Sequence, residues 1–351
     1  MSRIEALPTR LLTISGAVFC LAVLAMMLVL PGPASMGWLA AFVFTSAVPI
    51  GALCLAMMMR IIPGSWRQDL GQATRSALSL FPLTLVAWLP IMFHLPSVYE
   101  WARRPPSSGF KAIYLRPFFF DIRTLFILAA ACLLAQAFLR GRSPSVAVIG
   151  LIGFVVCQSI LSTDWLMSLD PQFHSSGFAL YVLAGQMLTA LALLVIVTLV
   201  GEDVVVRSAL GALLLTAILL WAYLAFMQYF IVWSDNLKPG VVWFERRGAG
   251  IWAVAEYLIA FLHLSALLLL FFPPIRRSPR WLVFVALIVL AGRSLEYAWL
   301  VVPQLADHRE YAIVAYLLSL IGLIQIAFAI LSRSKAVTAR LAARQVTEAS
   351  P

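Results

Sequence analysis

Eight ionisable side chains stand inside, or at the ends of, long apolar stretches of this chain: His94, Asp121, Arg123, Asp164, Glu256, His263, Arg293 and Glu296. A charge in hydrocarbon is costly, so such residues pair with one another, line water or pass protons. Carboxylates and imidazoles suit proton exchange, and arginines supply the counter-charge. Glu256 and His263, seven apart, share one helix face, as do Arg293 and Glu296, three apart. A carboxylate and an imidazole ~10 Å apart on one face can relay protons through intervening waters. The eight are the expected proton path. A plainer reading makes Arg293 and Glu296 an internal ion pair and leaves the rest to hydrogen-bond between helices.

The elements that must hold these residues are ten apolar stretches of about 20 residues each. They cover 11–30, 37–59, 76–95, 117–139, 145–163, 177–200, 209–232, 250–272, 281–302 and 311–331. About 20 residues rising ~1.5 Å each match a hydrocarbon core of ~30 Å. Lipid admits only helices and closed barrels. The chain is therefore expected to be all-α and polytopic. Along these stretches, His94 lies ~2 Å from one end, and Asp121 and Arg123 lie ~6 and ~9 Å inside. Asp164 marks the end of the fifth stretch, while Glu256 and Glu296 lie ~9 Å inside the eighth and ninth. Most of the set thus gathers in one outer third of the membrane.

A hydrophobic fraction of 63% with 11% charged residues leaves no segment resembling a separate soluble domain. The net charge of +10 reads as topology rather than nucleic-acid binding. The N-terminus, the even-numbered loops and the C-terminal tail hold 15 Lys and Arg, against 8 in the odd-numbered loops. Both termini are then expected in the cytoplasm, with the basic tail after Ser332 fraying or lying on the inner leaflet. Arg3 and Arg10 precede an apolar run too long for a signal peptide, so it reads as an uncleaved first helix. Cys20, Cys54, Cys132 and Cys157 all fall in apolar stretches, and no haem-attachment or iron–sulfur motif is present. One haem cannot bridge His94 and His263, since the latter sits ~20 Å from the same side. The expectation is no metal and no redox centre on this chain alone.

Three segments carry a resemblance. One is Ser162-Thr163-Asp164-Trp165-Leu166-Met167-Ser168-Leu169-Asp170-Pro171. Another is Trp221-Ala222-Tyr223-Leu224-Ala225-Phe226-Met227-Gln228-Tyr229, and the third is Tyr114-Leu115 followed by Phe118-Phe119 and Arg123. Together they resemble the membrane subunits of alternative complex III, a quinol:cytochrome c oxidoreductase built on polysulfide-reductase (NrfD-like) proteins, and more narrowly its second quinone-binding subunit. The chain departs from that pattern in Leu264-Ser265-Ala266 after His263 and in Asp121 beside Arg123, as a divergent member would.

The resemblance implies two four-helix bundles with a peripheral helix at each end: 1–36, 37–176, 177–310 and 311–351. It implies quinol-linked electron transfer through iron–sulfur, c-type cytochrome and paralogous membrane partners, or partnership with a terminal oxidase. Quinone or quinol would be the ligand, with Tyr223, Gln228 and Asp170 in matching segments. Haem and iron–sulfur centres would belong to the partners. Two competing functions remain at this stage: a secondary transporter, and a non-catalytic scaffold of a terminal oxidase.

Overall fold

The computed structural model describes residues 9–140, 144–200, 208–234 and 238–348, with side chains up to Arg333. Arg3, Arg142 and Arg207 of the basic count lie outside the described residues, as do the side chains of Lys335, Arg340 and Arg344. The protein is all-α, with no strand among the described residues. The main helices are α1 (Thr9–Val29), α2 (Pro31–Ile61), α3 (Trp66–Leu78), α4 (Phe81–Phe93), α5 (Pro117–Leu139) and α6 (Pro144–Trp165). They continue as α7 (Phe178–Val200), α8 (Ser208–Ser234), α9 (Lys238–Arg247), α10 (Ile251–Phe271), α11 (Pro279–Val301) and α12 (Arg309–Glu348). Among the described residues, nine helices are long and apolar enough to cross a membrane, or ten if the bent pair of α3 and α4 counts as one span. It is a multi-pass membrane protein.

The third span departs from expectation. The kink expected at Pro82 is there, as a 40° bend between α3 and α4, but α3 begins at Trp66 rather than at 76. Pro82 lacks an N–H and stands in the first turn of α4, which favours a new helix start there. Hydropathy alone does not reveal the extension, because α3 is amphipathic, with Arg67, Gln68, Asp69, Gln72 and Arg75 among its residues. The other boundary shifts are smaller: α2 starts at Pro31 rather than 37, and α12 stays helical to Glu348 rather than ending near 331.

The helices pack as two rings. In the first, α2 touches α3, α4 and α6, α4 touches α5, and α5 touches α6. In the second, α7 packs on α8, α8 on α10, α10 on α11, and α11 back on α7. Contacts of α2 with α7 and α11 join the rings, and α1 and α12 pack on each other and on α2. Accordingly, 89% of the most apolar window of α2 is buried inside the protein.

Without a hydrophobic force between helices in lipid, such closeness rests on small residues. A Cβ on Gly51 would stand 2.2 Å from the Gln186 carbonyl oxygen of α7, and one on Gly37 would stand 2.4 Å from the Ala312 carbonyl oxygen of α12. Both obstacles are backbone, which cannot swing aside. Gly51→Ala should therefore force the two rings apart at a cost of about 1–3 kcal/mol, seen as a lower melting temperature in detergent. An unchanged melting temperature would show that this contact yields freely.

Candidate functional site

The connections near residues 94–116, 166–177, 238–250 and 302–308 lie at one end of the molecule, and most of the ionisable set gathers there. Beneath them, the second ring encloses a cleft of about 180 Å³. Trp221, Ala225, Gln228 and Tyr229 of α8 form one wall, and Glu256, Ile259 and Ala260 of α10 form the opposite one. These fall at helical spacings of three and four, so each helix offers one continuous face. Trp243 and Phe244 of α9 also line the cleft, with Phe173 stacked on Trp243 at 4.5 Å. Tyr229 and Ala260 are exposed, so the cleft opens between α8 and α10.

At its inner side, Glu296 and Arg293 of α11 form an ion pair, with side chains 2% and 1% exposed. Tyr181 and the Trp221 indole also donate to the Glu296 carboxylate. Arg293 Nε donates to Thr189 Oγ1 at 3.4 Å, and the guanidinium lies 4.7 Å from the Tyr297 ring centroid. Gly185 makes room for it, since a Cβ there would stand 2.2 Å from Arg293 Nη2. A buried charge survives only when paired and hydrogen-bonded, and this one is both.

His263 stacks on Trp221, with ring centroids 4.0 Å apart, and packs over Gly292, where a Cβ would stand 2.6 Å from the ring. Its Nδ1 bonds the Ile259 carbonyl at 2.9 Å. Its Nε2 is buried without a partner. Trp221 thus touches both His263 and Glu296. Glu256 lies nearer the mouth, and its carboxylate has no hydrogen-bond partner among the described residues. No direct hydrogen bond joins Glu256 to His263, so the expected relay would require water between them.

The roof is pinned by two arginines that charge counting had treated only as topology. Arg246 Nη1 reaches both Asp170 Oδ2, at 3.0 Å, and Gln304 Oε1. It thereby ties three connections together. Arg247 is buried, stacks 3.7 Å over the Trp243 ring and donates to the Leu300 carbonyl at 2.8 Å. Burial, followed by the adjacent Arg246 charge, pushes its guanidinium down to about 9, so it remains a cation at neutral pH. Asp170, expected at the ligand, is instead part of this roof, with Oδ1 accepting from the Gln172 amide.

Gln228 lines the cleft, and its Oε1 accepts from Ser175 at 2.5 Å. Tyr223 does not line it. Two residues from Trp221 is about 200° around a helix, which turns Tyr223 to the outer face, where it is 59% exposed. Tyr181, Trp243 and Trp299 are additions that sequence reading missed, each one aromatic among many.

In the first ring, Asp164 is fully buried and pairs with Arg123 Nε at 2.7 Å. Tyr114 donates to its other oxygen at 2.9 Å and faces the guanidinium at 3.9 Å. Burial, then the Asp164 charge, pushes the Tyr114 hydroxyl up to about 12, so it stays a neutral donor. Asp121 does not join this pair. It is two residues from Arg123, on the other side of α5, and its Oδ1 is buried without a hydrogen-bond partner. His94 bonds the Pro90 carbonyl at 2.9 Å and makes no hydrogen bond or ion pair with Asp121, Arg123 or Asp164. Space beside Asp164 is filled by Trp165, stacked on Trp88 at 5.5 Å, and by Phe42 and Phe120.

No protein-family model matches the chain, and no curated protein matches it significantly.

Proposed function

We propose that this chain is a membrane subunit of a quinol-oxidising respiratory complex similar to alternative complex III, and that its second ring receives the quinol head group. The observation that carries this reading is the cleft, with aromatic walls, one carboxylate at the mouth and another, fully paired, behind it. A cavity of about 150 Å³ already holds a benzene ring, so about 180 Å³ suits a single substituted ring. The opening between α8 and α10 lets an isoprenoid tail lie outside along exposed Phe226, Phe230, Tyr257 and Phe261.

Quinol oxidation releases two electrons and two protons. Trp221, Trp243 and Tyr229 flank the ring, and Gln228 offers an amide to its oxygen. Glu256 accepts the two ring-hydroxyl protons in turn, releasing the first to water at the mouth before it takes the second. Arg293 holds Glu296 as a fixed counter-charge behind the ring, and the His263 Nε2 site extends the proton path inward. The electrons leave to iron–sulfur and c-type haem centres on partner subunits. The complex sits in a bacterial inner membrane with both termini of this chain in the cytoplasm, as the 15-to-8 basic split favours.

A secondary transporter fits less well. Such folds break helices at matching positions of both halves. Here the third span is bent, while its counterpart α8 runs unbroken.

A photoreactive quinone, activated in membranes holding the intact complex, tests the reading. Its label should fall on peptides covering 221–229, 243–244 and 256–260, and excess unlabelled quinone should abolish it. Competable labelling confined to other subunits would overturn the proposal.

A further inference from the structure

At the opposite end of the molecule is a larger cavity, of about 440 Å³, between the end of α2, the amphipathic helix α3 and the end of α5. We infer that it binds the phosphate head group of an anionic phospholipid. Three observations carry this, none of them used by the quinol site.

The first is charge. Arg67, Gly71 and Arg75 follow one another at spacings of four along α3, and all three line the cavity with Gln72. Two guanidiniums therefore flank a residue with no side chain. A Cβ on Gly71 would meet nothing within 4 Å, so the space between the arginines is open. Arg60, from the last turn of α2, adds a third guanidinium to the lining. The carboxylate of α3, Asp69, is two residues and so about 200° from Arg67, and it does not line the cavity.

The second is an unanswered polar group. Thr74 lines the same cavity and is 2% exposed, yet its Oγ1 is buried without a hydrogen-bond partner. Buried hydroxyls without a partner are uncommon, and a phosphate oxygen would supply the acceptor. Arginine forks match phosphate oxygens in pairs.

The third is the apolar side of the cavity, which distinguishes a lipid from free phosphate. Met59, Leu78 and Phe138 line it beside the arginines. Ile61, Ile62 and Leu139 are exposed close by in the chain, at the ends of their spans. The cavity therefore sits at the level where a head group meets its acyl chains. Basic pockets between membrane helices take anionic head groups by this combination of charge below and hydrocarbon beside.

The full-length chain, purified in detergent, can be titrated with phosphatidylglycerol, phosphatidylcholine or inorganic phosphate while melting and lipid retention in native mass spectrometry are followed. Phosphatidylglycerol should raise the melting temperature and remain bound, and the other two should do so far less. Arg67→Gln with Arg75→Gln should weaken phosphatidylglycerol binding about thirtyfold, at the usual contribution of a basic residue near an anionic head group. Gly71→Leu should also weaken it by filling the open space, yet leave the lipid-free melting temperature equal or higher, because Leu favours helix more than Gly. Equal responses to the two lipids would overturn the proposal, as would unchanged affinity in both variants. A shift from inorganic phosphate as large as the lipid's would also overturn it, identifying a free-phosphate site instead.

Discussion

Arg293→Met should destabilise the protein by about 3–5 kcal/mol, the usual cost of leaving one member of a buried ion pair alone. Glu296 would keep its bonds from Tyr181 and Trp221 but lose its only ion-pair partner among the described residues. The space that Gly185 leaves for the guanidinium would also be filled imperfectly. The loss should appear as a lower melting temperature of the purified chain. Adding Glu296→Leu should recover most of it, because a buried pair replaced by apolar residues of similar volume is often neutral. A double variant as unstable as the sum of the two singles would show that the residues act independently, and the pairing would then contribute nothing.

Much of this arrangement is legible in the sequence, for identifiable reasons. Nine spans were read as apolar runs because lipid leaves the backbone so few alternatives. The third was misjudged because α3 carries its polar residues on one face, and averaged hydropathy reads that as loop. Arg293 and Glu296 were legible as a pair because a spacing of three on one helix nearly dictates contact. Asp121 and Arg123 were grouped by depth alone, and a spacing of two sends them to opposite sides. The same error placed Tyr223 in the site: a motif names a segment, but only packing decides which face of it turns inward. Asp170 lay in the right neighbourhood with a different task, since its partner Arg246 is 76 residues away and no local pattern announces it. Tyr181 and Trp243 had no signal at all, because an aromatic in a membrane helix is commonplace.

Glu256 bears the central claim most directly. It is the carboxylate of the cleft without a hydrogen-bond partner among the described residues, so Glu256→Gln breaks no observed contact and keeps the side chain's shape. Yet glutamine cannot accept a proton, and a positioned general base is typically worth at least ~10²-fold in rate. In the intact complex, this variant should assemble and melt as the wild type does while oxidising quinol about 10²-fold more slowly. Normal assembly together with wild-type quinol turnover would contradict the account, leaving Glu256 without a role in proton transfer.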